Sequence, residues 1–307
     1  MQTLLNEKIL HSTALFDQAV PLLENKLAAE PNNSQIVWQL IENSRQQGRL
    51  AAAAAYSALL LEIEPAHQQA GYIQAILQER PPAIQAEKIQ PVPFIRREDV
   101  LDATEQQQIW HCIRQHQADF KPSKVVSGNA DMRQSRLIDL ADSALLRDIK
   151  AWFLPKIADI IQEKRDYFAI PEQIFGRKEL QLTLHGNQHY FKTHTDISRK
   201  TYTERSGASE KQHQAIKSRV ISFVYYMHRI PKQFTGGELL LFDTGSEQDV
   251  YDTKHTRIMP DNNSLILFPS QYYHQVTPVS CATTDIEQGR FTLNGWFHAK
   301  TTEELSK

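Results

Sequence analysis

Two histidines and one aspartate have residue types and spacing that suit a metal ion. His194 and Asp196 stand two residues apart at the end of a stretch that alternates like a β-strand, and His274 follows much later. Because side chains at i and i+2 of a strand point to the same face, His194 and Asp196 can bind one ion together. The tripeptide alone is a weak signal, so its meaning depends on the elements around it.

The donor set of this trio favours an open metal site over a closed one. Two imidazoles and one carboxylate at three corners of an octahedron leave three positions free, as in non-haem Fe(II) oxygenases. A bidentate 2-oxo acid can fill two of these positions and dioxygen the third. A structural zinc site would need a fourth ligand, typically cysteine, and neither Cys112 nor Cys281 has ligand spacing to these histidines.

A cationic anchor follows His274 on the next predicted strand. Arg290 precedes the sequence Gly295-Trp296-Phe297, and neighbouring antiparallel strands can face the same barrel interior. A planar guanidinium can hold the far carboxylate of a bound dicarboxylate through two parallel hydrogen bonds.

The elements that must position these residues are predicted to be short antiparallel strands. Leucines at 180, 182 and 184 alternate with polar residues, and similar runs follow at 220–227, 238–242, 264–268 and 290–297. Such a series indicates a sandwich or jelly-roll barrel.

A long amphipathic helix is predicted from Ala144 to Tyr167, with Trp152 and Phe153 as core residues that cover a sheet. The polar segment 197–218 is a candidate lid or substrate loop.

Residues 1–85 are predicted to be helical and to precede the barrel as a separate domain. Glu30-Pro31 recurs as Glu64-Pro65 at an interval of 34 residues, which resembles a tetratricopeptide repeat, and Gly48 suits the turn between paired helices. A plain helical hairpin packed on the next domain is the alternative. A proline-rich crossing segment at 80–93 leads into the second domain, predicted to span 86–307.

Bulk composition limits the classes of partner. The chain of 307 residues is 41% hydrophobic and 23% charged, with a net charge of −2, so no general attraction to nucleic acid or to anionic lipid follows. No apolar run approaches the length of a membrane span, and no signal peptide is recognised at the N-terminus. Two cysteines suit a reducing compartment, and the expected location is cytoplasmic.

Four stretches together resemble a known family. Residues 236–242, 263–270, 274–279 and 290–297 look like the prolyl-4-hydroxylase branch of the 2-oxoglutarate/Fe(II)-dependent dioxygenases. The resemblance covers roughly 90–300. It implies an α+β fold, in which a double-stranded β-helix (jelly-roll) oxygenase domain with supporting helices follows the small all-α, tetratricopeptide-like domain.

The resemblance also implies a site. By this similarity the iron ligands and catalytic residues are His194, Asp196 and His274. Arg290 then binds the C5 carboxylate of 2-oxoglutarate. Tyr226 hydrogen-bonds the same cosubstrate, and Asn294 falls where the family often has a small polar residue near it. The implied cofactors are Fe(II), 2-oxoglutarate and O2, with ascorbate as a reductant. Two departures stand out, because Leu184 and Phe191 occupy positions where the family usually has tyrosines.

The leading hypothesis is therefore an enzyme that hydroxylates an unactivated C–H bond in a prolyl or other residue of a peptide or protein. The alternative substrate is a free amino acid or a small natural-product intermediate, with the N-terminal helices serving in homodimerisation or packing. A different class is a repeat adaptor that carries an inactive barrel. Iron-dependent formation of succinate from 2-oxoglutarate separates the enzyme from the adaptor.

Overall fold

The computed structural model describes residues 19–82, 89–123, 130–139, 143–170, 175–197, 216–245, 250–283 and 285–300. The helices are α1 (residues 19–29), α2 (Ser34–Gln46), α3 (Leu50–Ile63), α4 (Gln68–Leu77), α5 (Ala103–Gln115) and α6 (Ala144–Glu163). The strands are β1 (Ile89–Gln90), β2 (Ile95–Arg97), β3 (Lys121–Pro122), β4 (Arg133–Gln134), β5 (Arg136–Ile138), β6 (Phe175–His185), β7 (Tyr190–His194), β8 (Arg219–Met227), β9 (Phe234–Gly236), β10 (Leu239–Gly245), β11 (Tyr251–Ile258), β12 (Ser264–Pro269), β13 (His274–Val276), β14 (Val279–Cys281) and β15 (Arg290–Ala299). None of these helices is long and apolar enough to cross a membrane.

The chain forms two compact units. The first comprises Met1–Val92 and Leu240–Ile258, and the second comprises Pro93–Leu239 and Met259–Lys307. The domain boundary expected at residue 85 stays a prediction.

In the first unit, helices α1 to α4 follow one another through short turns, which confirms a helical N-terminal region over the described residues. Asn33 caps α2 by accepting a hydrogen bond from the amide of Ile36 at 3.2 Å. Gly48 has a positive φ of 77° in the turn between α2 and α3, as its position predicts. The core of this region includes Val37 and Leu60. The tetratricopeptide assignment stays a prediction.

A buried ion pair joins α2 to the later strands of the same unit. The guanidinium of Arg45 on α2 donates hydrogen bonds to both carboxylate oxygens of Asp243 on β10, at 2.5 and 2.7 Å. Glu42 lies one helical turn before Arg45 and accepts a further bond at 3.2 Å. Because a buried arginine is costly without anionic partners, this cluster fixes how β10 and β11 pack with the helices of the unit.

The second unit contains a seven-stranded sheet in the order β2-β12-β8-β15-β6-β5-β3, and its strand pairs are antiparallel. Strand β7 pairs with β13 on one side and with β4 on the other, while β14 pairs with β9. The antiparallel sheets fit the predicted jelly roll, and the predicted strands recur with bounds shifted by a few residues. The predicted lid at 197–218 lies almost wholly outside the described residues.

Two helices cover one face of the seven-stranded sheet. Helix α5 begins at a capping box, in which Asp102 and Glu105 exchange side-chain and backbone hydrogen bonds. On α6, the buried ring of Phe153 packs against Phe223 at 6.0 Å and Tyr225 at 5.6 Å, which confirms its role in the core. The helix ends at Glu163, before the predicted Tyr167.

Alternation along β8 separates two environments. Phe223 and Tyr225 face the helices and belong to the main apolar core. Ser222 and Val224 point to the opposite face and line a cavity. Since side chains of a strand alternate between faces, one strand supplies both the core and the wall of the site.

We expect Phe153→Ala to lower the free energy of unfolding by about 3–5 kcal/mol, because it removes a fully buried ring from between α6 and β8. Chemical denaturation measures this change. The control is Asp159→Ala on the exposed face of the same helix, which should change stability by less than about 0.5 kcal/mol. Equal effects of the two substitutions would contradict this packing.

Candidate metal centre

His194, Asp196 and His274 converge at the point where β7 and β13 pair. The register sets His274 directly opposite His194, with ring centroids 4.2 Å apart. The Nε2 atoms of His194 and His274 lie 3.7 and 3.5 Å from the carboxylate oxygens of Asp196. One ligand atom from each residue lies within 4.8 Å of the others, in the one such cluster found among the described residues. The structure therefore brings the predicted trio together.

Backbone carbonyls orient both imidazole rings. The Nδ1 atom of His194 lies 2.7 Å from the carbonyl oxygen of Lys192, and that of His274 lies 3.0 Å from the carbonyl oxygen of Tyr272. Since a carbonyl only accepts, each Nδ1 carries the proton and donates it, which leaves an Nε2 lone pair aimed at the cluster. The buried Nε2 of His194 has no hydrogen-bond partner among the described residues.

The protonation states also suit metal binding. Burial lowers the pKa of His274 to about 4, so this ring is neutral at neutral pH. Burial opposes ionisation of Asp196, but the nearby His274 and His194 outweigh it, so the pKa of this carboxyl lies well below its usual range. A neutral imidazole and an ionised carboxylate are the forms that bind a metal ion.

Two serines hold the carboxylate of Asp196. Ser222 on β8 donates its hydroxyl to Oδ2 of Asp196 at 2.6 Å, and the Ser222 and Ser270 hydroxyls lie 2.9 Å apart. The amide of Asp196 donates to the carbonyl of Ser270 at 3.0 Å. Because Oδ2 already accepts a hydrogen bond, Oδ1 is the oxygen better placed to bind an ion.

Aromatic rings shield the centre from both sides. Phe191 stacks on His194 with ring centroids 3.5 Å apart and an interplanar angle of 18°. Phe268 meets His274 edge-on at 4.9 Å. Tyr190 does not replace the missing family tyrosine, because its hydroxyl donates to the carbonyl of Asp131 at the exposed edge.

Arg290, on β15, is a buried cation in the same cavity. Only 2% of its surface is exposed, and its Nη1 donates to Nδ1 of His185 at 3.1 Å. Its guanidinium carbon lies 4.9 Å from the ring centroid of Tyr226. The Nε of Arg290 and the hydroxyl of Tyr226 are buried without a hydrogen-bond partner of standard geometry, and within the described chain no carboxylate pairs with this arginine. Burial lowers the pKa of Arg290, so an anion bound there would be strongly favoured.

A glycine makes room for Arg290. Gly237 has a φ of +73°, and a Cβ built on it would lie 2.6 Å from Cδ of Arg290. Gly236 beside it has a φ of +74°, and its Cβ would lie 2.0 Å from the carbonyl oxygen of Pro278. The Gly236-Gly237 pair is therefore a tight turn against the site, as its sequence predicts.

The remaining predicted residues differ in position. Asn294 lines the cavity, where its Oδ1 accepts hydrogen bonds from Thr183 at 2.8 Å and Thr292 at 3.2 Å. Tyr226 does not belong to the cavity wall and lies against Arg290 instead.

Sequence reasoning did not identify His185 as a residue of the site. Its neighbour Leu184 points into the helix-covered core, whereas His185 lines the cavity opposite Arg290 in the register of β6 and β15. Burial and the charge of Arg290 lower the pKa of His185 well below its usual value, so the ring is neutral. The alternation of leucines at 180, 182 and 184 contained the signal, because it places residue 185 on the opposite face.

Residues 180–298 match the family model described as the 2OG-Fe(II) oxygenase superfamily. An uncharacterized PKHD-type hydroxylase of Synechocystis sp. is 40% identical over 124 residues, which is 40% of this chain and 36% of that protein. The alignment thus spans little more than a third of that relative.

Among solved structures, a Pseudomonas putida prolyl-4-hydroxylase is 18% identical with a TM-score of 0.45, over 68% of this chain and 94% of that one. A viral collagen prolyl hydroxylase of Paramecium Bursaria Chlorella virus-1 is 12% identical with a TM-score of 0.39, over 67% of this chain and 96% of that one.

The antiparallel strands carry a cluster of two histidines and one aspartate whose donor set suits one metal ion with open coordination positions. Residues 180–298, the segment that is similar to the 2OG-Fe(II) oxygenase superfamily, contain all three residues of this cluster and Arg290. The cofactors of that superfamily are Fe(II), 2-oxoglutarate and O2. The side chains present fit them, because the Nε2 of His194 and the Nε of Arg290 are buried without a hydrogen-bond partner among the described residues and have the right chemistry for a metal and a carboxylate.

We expect Ser222→Ala to weaken the affinity for Mn(II) by about 10- to 100-fold, because Asp196 loses the hydroxyl that orients it. Titration calorimetry without 2-oxoglutarate measures this affinity. The matched control is Ser264→Ala, which removes a buried hydroxyl that donates to the carbonyl of Asp261 outside the site. An unchanged Mn(II) affinity in Ser222→Ala would show that this hydrogen bond does not position the carboxylate.

Proposed function

We propose that this protein is a 2-oxoglutarate- and Fe(II)-dependent dioxygenase that hydroxylates an unactivated C–H bond. One observation carries the proposal: His194, Asp196 and His274 present metal-ligand atoms in the same cavity as Arg290, a buried cation without a carboxylate partner among the described residues. The Nε2 of His194 and the Nε of Arg290 have no hydrogen-bond partner among the described residues, and these two groups suit Fe(II) and the carboxylate of 2-oxoglutarate, respectively.

In this proposal His194, Asp196 and His274 hold Fe(II), and Arg290 binds the C5 carboxylate of 2-oxoglutarate through paired N–H donors. When bound, the ion and the cosubstrate use O2 to place one oxygen atom on a substrate carbon, and 2-oxoglutarate is converted to succinate and carbon dioxide. The rings of Phe191 and Phe268 exclude water from the ligand histidines.

Tyr226 lies against Arg290, and a hydrogen bond from its hydroxyl to the same carboxylate stays a prediction. Asn294 contributes less directly, because its oxygen already accepts from two threonines. His185 holds the guanidinium of Arg290 in place. Its Nδ1 accepts from Arg290, so the neutral ring carries its proton on Nε2.

For the substrate, a prolyl or other residue of a peptide or protein is the first candidate, supported by the similarity to a PKHD-type hydroxylase and by the N-terminal helices. A free amino acid or a small natural-product intermediate is the second. The inactive-barrel adaptor is disfavoured because the ligand trio and the arginine are complete. A homodimer through the N-terminal helices, ascorbate as a reductant and a cytoplasmic location remain predictions.

His194→Ala and Asp196→Ala should each abolish iron-dependent formation of succinate from 2-oxoglutarate, because a metal site with two protein ligands loses the ion. Succinate is quantified by mass spectrometry with and without Fe(II). The control is His111→Ala, which removes an exposed histidine on α5. If the unaltered protein made no succinate but bound peptides independently of iron, the adaptor would replace the enzyme as the proposed function.

Arg290→Met should raise the dissociation constant of 2-oxoglutarate for the Mn(II)-loaded protein by about 10- to 100-fold, since hydrogen bonds to a charged group contribute about 1.5–3 kcal/mol. Methionine retains much of the apolar stem and removes the donors. Calorimetry under nitrogen measures binding without turnover. If Arg290→Met left both the fold and the affinity for 2-oxoglutarate intact, the anchor would lie elsewhere in the cavity.

A further inference from the structure

A second guanidinium lines the cavity, and the proposed chemistry does not use it. Arg133 lies on β4, where the register sets it opposite Phe191 of β7. Its guanidinium carbon lies 4.9 Å from the centroid of the Phe191 ring, and that ring in turn stacks on His194. One aromatic ring therefore links Arg133 to a metal ligand.

The guanidinium of Arg133 is positioned by the protein yet keeps free donors. Its Nε donates to the hydroxyl of Ser135 at 2.7 Å, and that hydroxyl donates to Ser123 at 2.7 Å. The terminal Nη groups have no hydrogen-bond acceptor among the residues that the structure describes. Burial and the charge of Arg290 lower the pKa of Arg133 to about 10, although the charge of Asp196 opposes this shift. The cation is thus held in an unfavourable place, and no described residue supplies a direct counter-ion.

Within the cavity, charge balance gives a partner to each charged group except Arg133. Given a divalent ion and 2-oxoglutarate, the positive charges of the ion and Arg290 are matched by Asp196 and by the two carboxylates of the cosubstrate. Arg133 is then the one cation of the described cavity wall without an anion. A single carboxylate would complete the balance, whereas a dianionic phosphate would leave an excess of negative charge.

We propose that Arg133 binds a carboxylate of the substrate and so selects acidic substrates. This inference rests on the proposed function, because it names the substrate class of the same site. The two free Nη groups can donate in parallel to one carboxylate, which fixes its orientation as well as its charge. Phe191, Val276 and Leu239 give the same cavity apolar surface for the hydrocarbon part that carries the reacting C–H bond.

The carboxylate has two sources, which the experiment separates. One is the α-carboxylate of a free amino acid, and the other is an aspartyl or glutamyl side chain next to the modified residue of a peptide. Four pools serve as probes: free amino acids, their amides, capped peptides with Asp or Glu beside proline, and the same peptides with Asn or Gln. Each pool is added to the Fe(II)-loaded protein with 2-oxoglutarate, and succinate formed above the level without substrate is measured.

We expect one of the two carboxylate pools to stimulate succinate formation at least about tenfold more than its amide counterpart. Arg133→Gln should lower that stimulation by about tenfold or more, and Arg133→Lys should retain part of it because the charge remains. The matched control is Arg136→Gln, which removes an exposed arginine on β5. Its stimulation should equal that of the unaltered protein.

Binding supplies a readout that does not depend on turnover. The stimulating compound is titrated by calorimetry into the Mn(II)- and 2-oxoglutarate-loaded protein under nitrogen. Arg133→Gln should weaken this binding by about tenfold or more, with the melting temperature recorded for each variant. If Arg133→Gln fails to fold, the comparison of acid and amide pools on the unaltered protein and on Arg133→Lys still decides the outcome.

Several results would overturn the inference. These are equal stimulation by the amides, unchanged substrate binding in Arg133→Gln, no stimulation by either carboxylate pool, or a tenfold rise in the KM for 2-oxoglutarate in Arg133→Gln, which would place this arginine at the cosubstrate. Failure of the proposed function is distinct, because the unaltered protein would then neither bind Mn(II) nor form succinate under any condition.

Discussion

The centre depends on the antiparallel pairing of β7 with β13. This pairing sets His274 opposite His194 and leaves Asp196 just beyond the strand, so that three ligand atoms from two distant parts of the chain meet. A slip of one residue would turn His194 or His274 to the other face of the sheet. The register shift between His274 and Val276 shows that the pairing departs from regularity next to the ligand. Irregularities of this kind are common beside active sites, where they re-aim a side chain.

The seven-stranded sheet contributes to the cavity because its two faces are chemically distinct. One face is apolar and covered by helices, which rigidifies the strands. The other face is polar, and its internal hydrogen bonds, such as those of Ser222 with Asp196 and of Thr183 with Asn294, fix the positions of side chains. Buried polar atoms are nearly always paired in proteins. Among the described residues, unsatisfied atoms of His194, Arg290, Tyr226 and His185 lie in or directly behind one cavity, as expected of a site that binds a ligand.

A residue of the site could be predicted from the sequence only where its role follows from its residue type and from the strand on which it lies. The ligand trio and Arg290 could be identified because imidazole, carboxylate and guanidinium have restricted chemistry and stood within recognisable strand motifs. The leucine alternation gives the face on which His185 lies, but the partners of His185 and Ser222 come from cross-strand register, which one sequence does not reveal. The grouping of 240–258 with the N-terminal helices was equally hidden, because it involves the pairing of Arg45 with a residue 198 positions away.

Burial distinguishes the two arginines of the cavity. Arg290 is fully buried and held by a neutral histidine, so it suits an invariant cosubstrate whose carboxylate always replaces the lost hydration. Arg133 is half-buried on a short strand at the end of its sheet, where Phe191 and a serine hold it but leave its outer donors open. In the empty cavity the two cations repel each other, so an anion bound at Arg290 removes a cost that Arg133 otherwise bears. Charge alone gives no cooperation between two anions bound at these arginines, because each anion weakens the positive field that attracts the other.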